Sequence, residues 1–300
     1  MYDIIIIGAG PAGLTAAIYA CRSNKKVLVL EAVTYGGQII NTKDIENYPA
    51  AMHISGIDFA NNIYNQAIEL GAEIVFEKAT NIEVKDEIKI VKTTDNEYQG
   101  KAIIIATGTD NRKLGVEKEE EFIGKGISYC ATCDGAFFKG KDVAVVGGGN
   151  TAIEDVLYLT DIVNKVYLIH RRDSFRADPK DVDKLKDKTN VEFVYNSNVS
   201  KLNGENFLES ITVINNDKEE RNIPVSALFI AVGRIPENEN FKELIEMNEA
   251  GYIISDEECH TNVNGIFVAG DNRIKKLRQL VTATSDGAVA ATEAIKYLNK

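Results

Sequence analysis

Cys130-Ala131-Thr132-Cys133-Asp134-Gly135 is the stretch best equipped to do chemistry. Cysteines at this spacing can close a small redox-active ring or supply half of a zinc site. Zinc would need two more ligands, and the candidates are Cys21, Cys259, His53, His170 and His260. Cys21 falls on a predicted helix and His170 in a predicted nucleotide site. Cys259 and His260 are adjacent, a poor chelating arrangement, so a redox role is favoured over zinc. An inert buried pair is the third reading. Asp134 either relays a proton to a neighbouring thiolate or serves the turn that Asp-Gly commonly signals.

Two glycine fingerprints suggest where electrons for such a pair would come from. Asp3–Ile7 leads into Gly8-Ala9-Gly10-Pro11-Ala12-Gly13, a full G-x-G-x-x-G pattern. Asp142–Val146 leads into Gly147-Gly148-Gly149-Asn150-Thr151-Ala152, the permitted form ending in alanine. Such glycines allow a tight turn and close approach of backbone to a pyrophosphate at a helix N-terminus. Glu31 ends the next apolar run, Lys26–Leu30, where an acid can bond ribose hydroxyls. The same offset in the second copy reaches His170, followed by Arg171, Arg172 and Arg176. An acid there would repel a 2′-phosphate, whereas arginines can bind one. The first site is therefore expected to hold a dinucleotide with free ribose hydroxyls and the second to prefer NADP(H). A solvated basic face is the bland alternative for the arginines.

The elements that must position these residues repeat along the chain. Each copy has an apolar strand, a glycine turn, a helix and a second strand. Charged alternating segments near residues 82–99 and 200–222 then read as β-meanders. Ala102–Gly108 and Ala227–Gly233 read as buried return strands, since parallel strands form near-continuous apolar runs. From about residue 240 the pattern changes. A strand at Gly265–Asp271 precedes a helix over Ala283–Tyr297, and this tail is expected to complete one of the two units. Gly36-Gly37-Gln38 offers a flexible approach and an amide for a flavin edge, or simply a turn. Asp271 could bond a ribityl hydroxyl or cap a helix. Arg273, Lys275, Lys276 and Arg278 could meet an acidic partner or a cofactor phosphate. For Lys275 and Lys276 a solvated loop is favoured.

Composition bounds the rest. The 300 residues are 44% hydrophobic and 26% charged, as in a soluble globular protein of two domains. A net charge of −11 argues against nucleic acid as the main partner. The 4 cysteines do not make a disulfide framework and fit a reducing compartment. The run from Ile4 to Cys21 lacks charge, but Gly8, Gly10, Pro11 and Gly13 break it, so no membrane span is expected. Asp3 stands where a secretory signal would be basic.

From Tyr2 to Leu298 the chain resembles the low-molecular-weight thioredoxin reductases. The likeness rests on Gly8–Gly13, Gly36-Gly37-Gln38, Ala106-Thr107-Gly108, Cys130–Gly135, Gly147–Ala152, His170-Arg171-Arg172 with Arg176, and Gly270-Asp271 with Arg278-Gln279. It implies an α/β fold of two Rossmann-like, three-layer ββα dinucleotide-binding domains, the second inserted into the first. The expected boundaries are 1–112 and 240–300 for the FAD domain and 113–239 for the NADPH domain carrying the cysteines. Noncovalent FAD would be held by Gly8, Gly10, Pro11, Ala12, Gly13, Glu31, Gly37, Gln38, Asn47, Thr107, Gly108, Asp271, Arg278, Gln279 and Leu280. NADPH would be held by Gly148, Asn150, Thr151, His170, Arg171, Arg172 and Arg176.

By the same likeness Cys133 is the thiol facing the flavin, Cys130 attacks a thioredoxin-like disulfide, and Asp134 is the acid/base. The family is homodimeric and cytosolic, with an NADPH domain that rotates during turnover. The rivals are a flavin-dependent reductase of another small dithiol protein, and a ferredoxin- or NADP-linked flavoprotein. Ferredoxin-dependent thioredoxin reductases should lack the arginines, and ferredoxin–NADP reductases the cysteine pair. A non-catalytic redox sensor is a further class, but nothing in the sequence resembles an output module.

Overall fold

The computed structural model describes residues 1–42 and 44–300. The chain divides into two compact units, Met1–Asp110 with Ile235–Lys300, and Asn111–Arg234. The second crossing precedes residue 240 for a physical reason. Asn238 is 1% exposed, and its Nδ2 donates to the Gly251 and Asn272 carbonyls of the first unit. Phe241 lies in that unit's core.

The first unit is built on a parallel sheet in the order Glu73–Val75, Val27–Leu30, Tyr2–Ile7, Glu97–Ile105. Ile4, Ile5 and Ile6 are fully buried, because both faces of the central strand are covered. Burying such side chains contributes about 1.5–3 kcal/mol each. Glu97–Ile105 carries two roles that the sequence suggested as separate strands. Its first half pairs antiparallel with Ile88–Thr93, with Lys89 opposite Gly100. Its second half pairs parallel with Ile266–Val268, with Ile103 opposite Ile266. Nothing in Gly100-Lys101-Ala102 breaks the strand, so meander and return strand are continuous.

Helix Pro11–Arg22 packs on the last helix, Leu280–Leu298. The approach is close enough that a Cβ on Gly287 would lie 2.2 Å from the Ala12 carbonyl oxygen. The last helix begins before the expected Ala283 because Gln279 and Thr282 form a capping box.

The second unit has a five-stranded, all-parallel sheet. Its order is Val191–Val194, Lys165–Ile169, Asp142–Gly147, Ala227–Ala231, Ile127–Ser128. Here the meander stands apart as an antiparallel sheet of Ser197–Asn203, Ser210–Asn215 and Glu220–Pro224. The edge strand Ile127–Ser128 runs directly into Tyr129 and Cys130, so the sheet fixes where the cysteine segment begins.

Candidate active site

Cys130 and Cys133 form a disulfide with Cα atoms 5.3 Å apart. Cys130 is the N-cap of a single helical turn, Ala131–Asp134. The backbone N–H groups of Cys133 and Asp134 both donate to the Cys130 carbonyl, at 3.2 and 3.1 Å. Ala131 is buried, both cysteines are half-buried and Thr132 is exposed, so the turn is anchored on one side and accessible on the other. Tyr129 is held from behind. Its hydroxyl donates to Glu119 at 2.9 Å, and the same carboxylate accepts from the Leu114 and Gly115 N–H groups.

Asp134-Gly135 does not reverse the chain. Gly135 has φ −58° and continues the helical path. Glycine stands there because a Cβ would lie 2.9 Å from Leu159 Cδ2 and 3.1 Å from Tyr158 Cε1. The Asp134 carboxylate accepts from the Ser128 hydroxyl at 2.6 Å.

The first fingerprint separates into closed and open glycines. A Cβ on Gly8 would lie 2.3 Å from the Ala106 carbonyl oxygen, and one on Gly13 1.9 Å from the Gly8 oxygen. A Cβ on Gly10 would meet nothing within 4 Å. Gly10 is the N-cap of helix Pro11–Arg22, and no side chain caps that terminus. The turn therefore presents helix N–H groups to open space, which suits a pyrophosphate.

Glu31 and the Gly36-Gly37 segment lie against this turn, and the other expected residues of this unit have partners of their own. Glu31 accepts from the Ala9 and Val33 N–H groups at 2.8 and 2.9 Å, which holds its carboxylate beside the glycines. The Gly36 N–H donates to the Ala9 carbonyl, and a Cβ on Gly37 would lie 3.4 Å from Gly10 Cα. Gln38 follows on the short 3-10 turn Gly37–Asn41. Asn47 Nδ2 donates to Gln279 Oε1 at 3.1 Å, joining two residues far apart in sequence. Thr107 donates to Asn238 and accepts from Asn272. Gly108, at φ +70°, follows it. Asp271 stands past the end of strand Ile266–Val268, and its carbonyl accepts from Arg278 Nε. The Arg278 guanidinium also lies over the Tyr252 ring. Leu280 opens the last helix.

One expectation about this loop is overturned. Lys275 is not solvated: its side chain is 9% exposed and pairs with Asp286 at 2.7 Å. Arg273 makes a two-pronged pair with the same carboxylate, at 2.9 and 3.0 Å. Asp286 also accepts from the Gly270 N–H at 3.0 Å. Its counter-charge is carried on a helix distant in sequence, so the loop's own composition could not reveal it. Lys276 is exposed, as expected of a loop lysine.

The second fingerprint repeats the arrangement. A Cβ on Gly147 would lie 2.4 Å from the Ala231 oxygen, whereas one on Gly149 would meet nothing within 4 Å. Gly149 is the N-cap of helix Asn150–Thr160, again without a side-chain cap. Asn150 Oδ1 accepts from the Asp178 N–H at 2.9 Å, and Thr151 is exposed. His170 is 5% exposed. Its Nε2 lies 3.0 Å from the Ser174 carbonyl. Burial, with help from the charges of Arg171 and Arg172, holds the ring below its usual pKa. Arg171, Arg172 and Arg176 are exposed. The Arg176 N–H donates to the Gly148 carbonyl at 2.8 Å, which ties the arginine segment to the glycine turn. Among the described residues none of the three guanidinium groups has a carboxylate partner within ion-pair distance.

Residues 2–287 match the family described as pyridine nucleotide-disulphide oxidoreductase. The chain belongs to that family. It is 42% identical to a thioredoxin reductase of Bacillus subtilis, an alignment covering 100% of this chain and 96% of the relative. The solved thioredoxin reductase of Streptococcus pyogenes superposes with a TM-score of 0.95 at 41% identity, covering 100% of this chain and 98% of the other. A ferredoxin-flavin thioredoxin reductase from Clostridium acetobutylicum is more distant. It has 27% identity, a TM-score of 0.54, and coverage of 99% and 98%.

Within this oxidoreductase the other cysteines stand apart from the redox pair. Cys259 is fully buried, and burial pushes its thiol up to about 12, so it does not ionise at neutral pH. Burial also raises Cys21. Sequence reasoning missed two residues near the proposed chemistry. Gly149, not Gly148, is the open glycine of the second turn; its alignment with Gly10 carried that signal. Ser128 had no motif to mark it, because only the fold brings its hydroxyl to Asp134.

Proposed function

We propose that this chain is an NADPH-dependent thioredoxin-disulfide reductase that works through FAD and the Cys130–Cys133 disulfide. The observation that carries the reading is this accessible disulfide on a one-turn helix that Asp134 ends. The residues fit both cofactors. Gly10 and Gly149 leave open space at uncapped helix N-termini, where any side chain would intrude. Glu31 stands ready for ribose hydroxyls in the first unit, and the exposed Arg171, Arg172 and Arg176 for a 2′-phosphate in the second. Bound NADPH and FAD supply the hydride and its two-electron transfer.

The chain's own residues then handle sulfur. Two electrons and two protons open the Cys130–Cys133 bond to a dithiol. The Cys130 thiolate attacks one sulfur of the substrate disulfide, and the other sulfur leaves as a thiolate. Cys133 attacks the Cys130 sulfur of the mixed disulfide, releasing the second substrate thiolate and re-forming the ring. Asp134 holds the proton that a leaving thiolate takes up. The substrate is a thioredoxin-like protein, and the enzyme is a cytoplasmic homodimer in this reading. Among the described residues no helix is long and apolar enough to cross a membrane. The arginines disfavour ferredoxin as the electron source.

An anaerobic titration tests the proposal. NADPH should bleach the flavin spectrum of the purified protein, and oxidised thioredoxin should restore it. Cys133→Ser should keep the bleaching and lose the restoration; loss of both would overturn the relay. Arg171→Ala should raise the KM for NADPH by about ten-fold and leave that for NADH unchanged. An equal effect on both would remove the phosphate assignment.

A further inference from the structure

Ser128 links the Cys130 backbone to the Asp134 carboxylate, in a place that no sequence motif assigns. It is 5% exposed and ends the edge strand of the parallel sheet, with Phe229 as its strand partner. Its Oγ lies 2.6 Å from Asp134 Oδ2, 3.0 Å from the Cys130 nitrogen and 3.3 Å from the Cys130 carbonyl oxygen. We propose that Ser128 is a positioning residue that holds the Asp134 carboxyl group in register with Cys130 in both of its protonation states. The proposal rests on the relay through Cys130 and Cys133.

A serine hydroxyl has one hydrogen and two acceptor lone pairs. The Cys130 N–H must donate to Oγ, which uses one lone pair. The single hydroxyl hydrogen then has two acceptors in reach. The shorter contact falls in the range of an O–H donating to a carboxylate, so it goes to Asp134 when Asp134 is ionised. When Asp134 gains a proton, its new O–H can donate to the second lone pair of Oγ. The hydroxyl hydrogen turns to the Cys130 carbonyl. All the groups stay paired in both states, and only the hydrogen's direction changes. The proton on Asp134 comes from a cysteine thiol and returns to a leaving thiolate; Ser128 itself neither gains nor loses one. Removing the hydroxyl would leave the part-buried Cys130 N–H and a carboxyl group without this partner at once.

The test compares two electron acceptors in the holoenzyme. Ser128→Ala should lower kcat for thioredoxin reduction by about ten-fold or more, the cost of a hydrogen bond to a charged group. KM for thioredoxin should stay within two-fold, about the scatter of a surface change. NADPH-to-ferricyanide turnover, which needs no disulfide, should be unchanged. Ser128→Thr, which restores the hydroxyl, should recover most of the rate. In an Asp134→Asn background Ser128→Ala should cost nothing further, because the two act as a unit. Ser128→Cys, close in size with a weak donor, replaces the alanine variant if that one does not fold, and the same loss is expected. Full thioredoxin activity in Ser128→Ala or Ser128→Cys overturns the proposal. So does an additive effect with Asp134→Asn, an equal loss with ferricyanide, or no rescue by threonine. If wild-type enzyme itself fails to reduce thioredoxin, the proposed function falls instead.

Discussion

The His170 ring occupies the space that a side chain on Gly148 would need. A Cβ there would lie 2.0 Å from His170 Cε1 and 2.3 Å from Nδ1. The ring cannot easily retreat, since it is buried, faces the Ser174 carbonyl and stacks on Phe175. Gly148→Ala should therefore destabilise the second unit by about 1–3 kcal/mol, the usual penalty of overpacking. Gly149→Ala is the informative contrast. Its Cβ enters open space at φ −102°, so the folded unit should lose well under 1 kcal/mol, as at other unstrained positions. NADPH binding should weaken by about ten-fold or more, because that space is where backbone would approach pyrophosphate. Chemical unfolding and NADPH titration of the two variants separate these effects. Equal stability losses in both would contradict the division into closed and open glycines.

This contrast shows what was legible in the sequence. The fingerprints are local: strand, turn and helix follow one another, so their glycines could be found by spacing. Which glycine faces open space was harder to read. Gly148 is closed by a ring from the next strand's end, a contact the turn itself does not encode. Gly135 shows a similar dependence on the fold. It answers to Leu159 and Tyr158 on a neighbouring helix. The single strand Glu97–Ile105 was divided because alternation gives way to an apolar run at Ala102, where the neighbours change from a solvated hairpin to the buried sheet. Lys275 and Ser128 act through partners that only the tertiary fold supplies.

Asp286 joins Arg273, Lys275 and the Gly270 N–H in one buried cluster. Burial alone would raise its pKa, but the hydrogen bonds and charges of Arg273 and Lys275 outweigh burial and hold it below the usual range. With the folded value depressed, its stabilisation is present above the unfolded carboxylate value. It is lost as pH falls from there through the folded value. Asp286→Asn should cost about 3–5 kcal/mol at pH 7, since two buried cations lose their partner. The difference from wild type should shrink below about pH 4, where the unfolded carboxylate also protonates. Gly270 precedes Asp271, so the variant should also release FAD at lower denaturant concentration. Urea unfolding followed by flavin fluorescence and by circular dichroism at both pH values measures this. A constant difference across that range would show that the carboxylate's charge does not matter.

Asp155, on helix Asn150–Thr160, has the opposite linkage. Burial raises its carboxyl to about 7; the charge of Arg234 opposes the shift, and that of Glu154 adds to it. In the unfolded chain the group titrates near the ordinary carboxylate value of about 4. Between that value and about 7 the folded protein keeps a proton that the unfolded chain has lost. Unfolding then releases a proton, so this residue makes stability fall as pH rises through the window. Above it, folding carries the cost of a partly desolvated charge, reduced by Arg234. Asp155→Asn removes the charge while keeping the shape. It should stabilise the second unit at pH 8 by up to about 3 kcal/mol and have little effect at pH 4. Arg234 limits the gain, because the substitution also removes that cation's favourable field. Thermal unfolding at the two pH values reads the difference directly. A variant destabilised at pH 8 would mean that the ionised carboxylate is satisfied in the fold, and that its neighbours more than repay its burial.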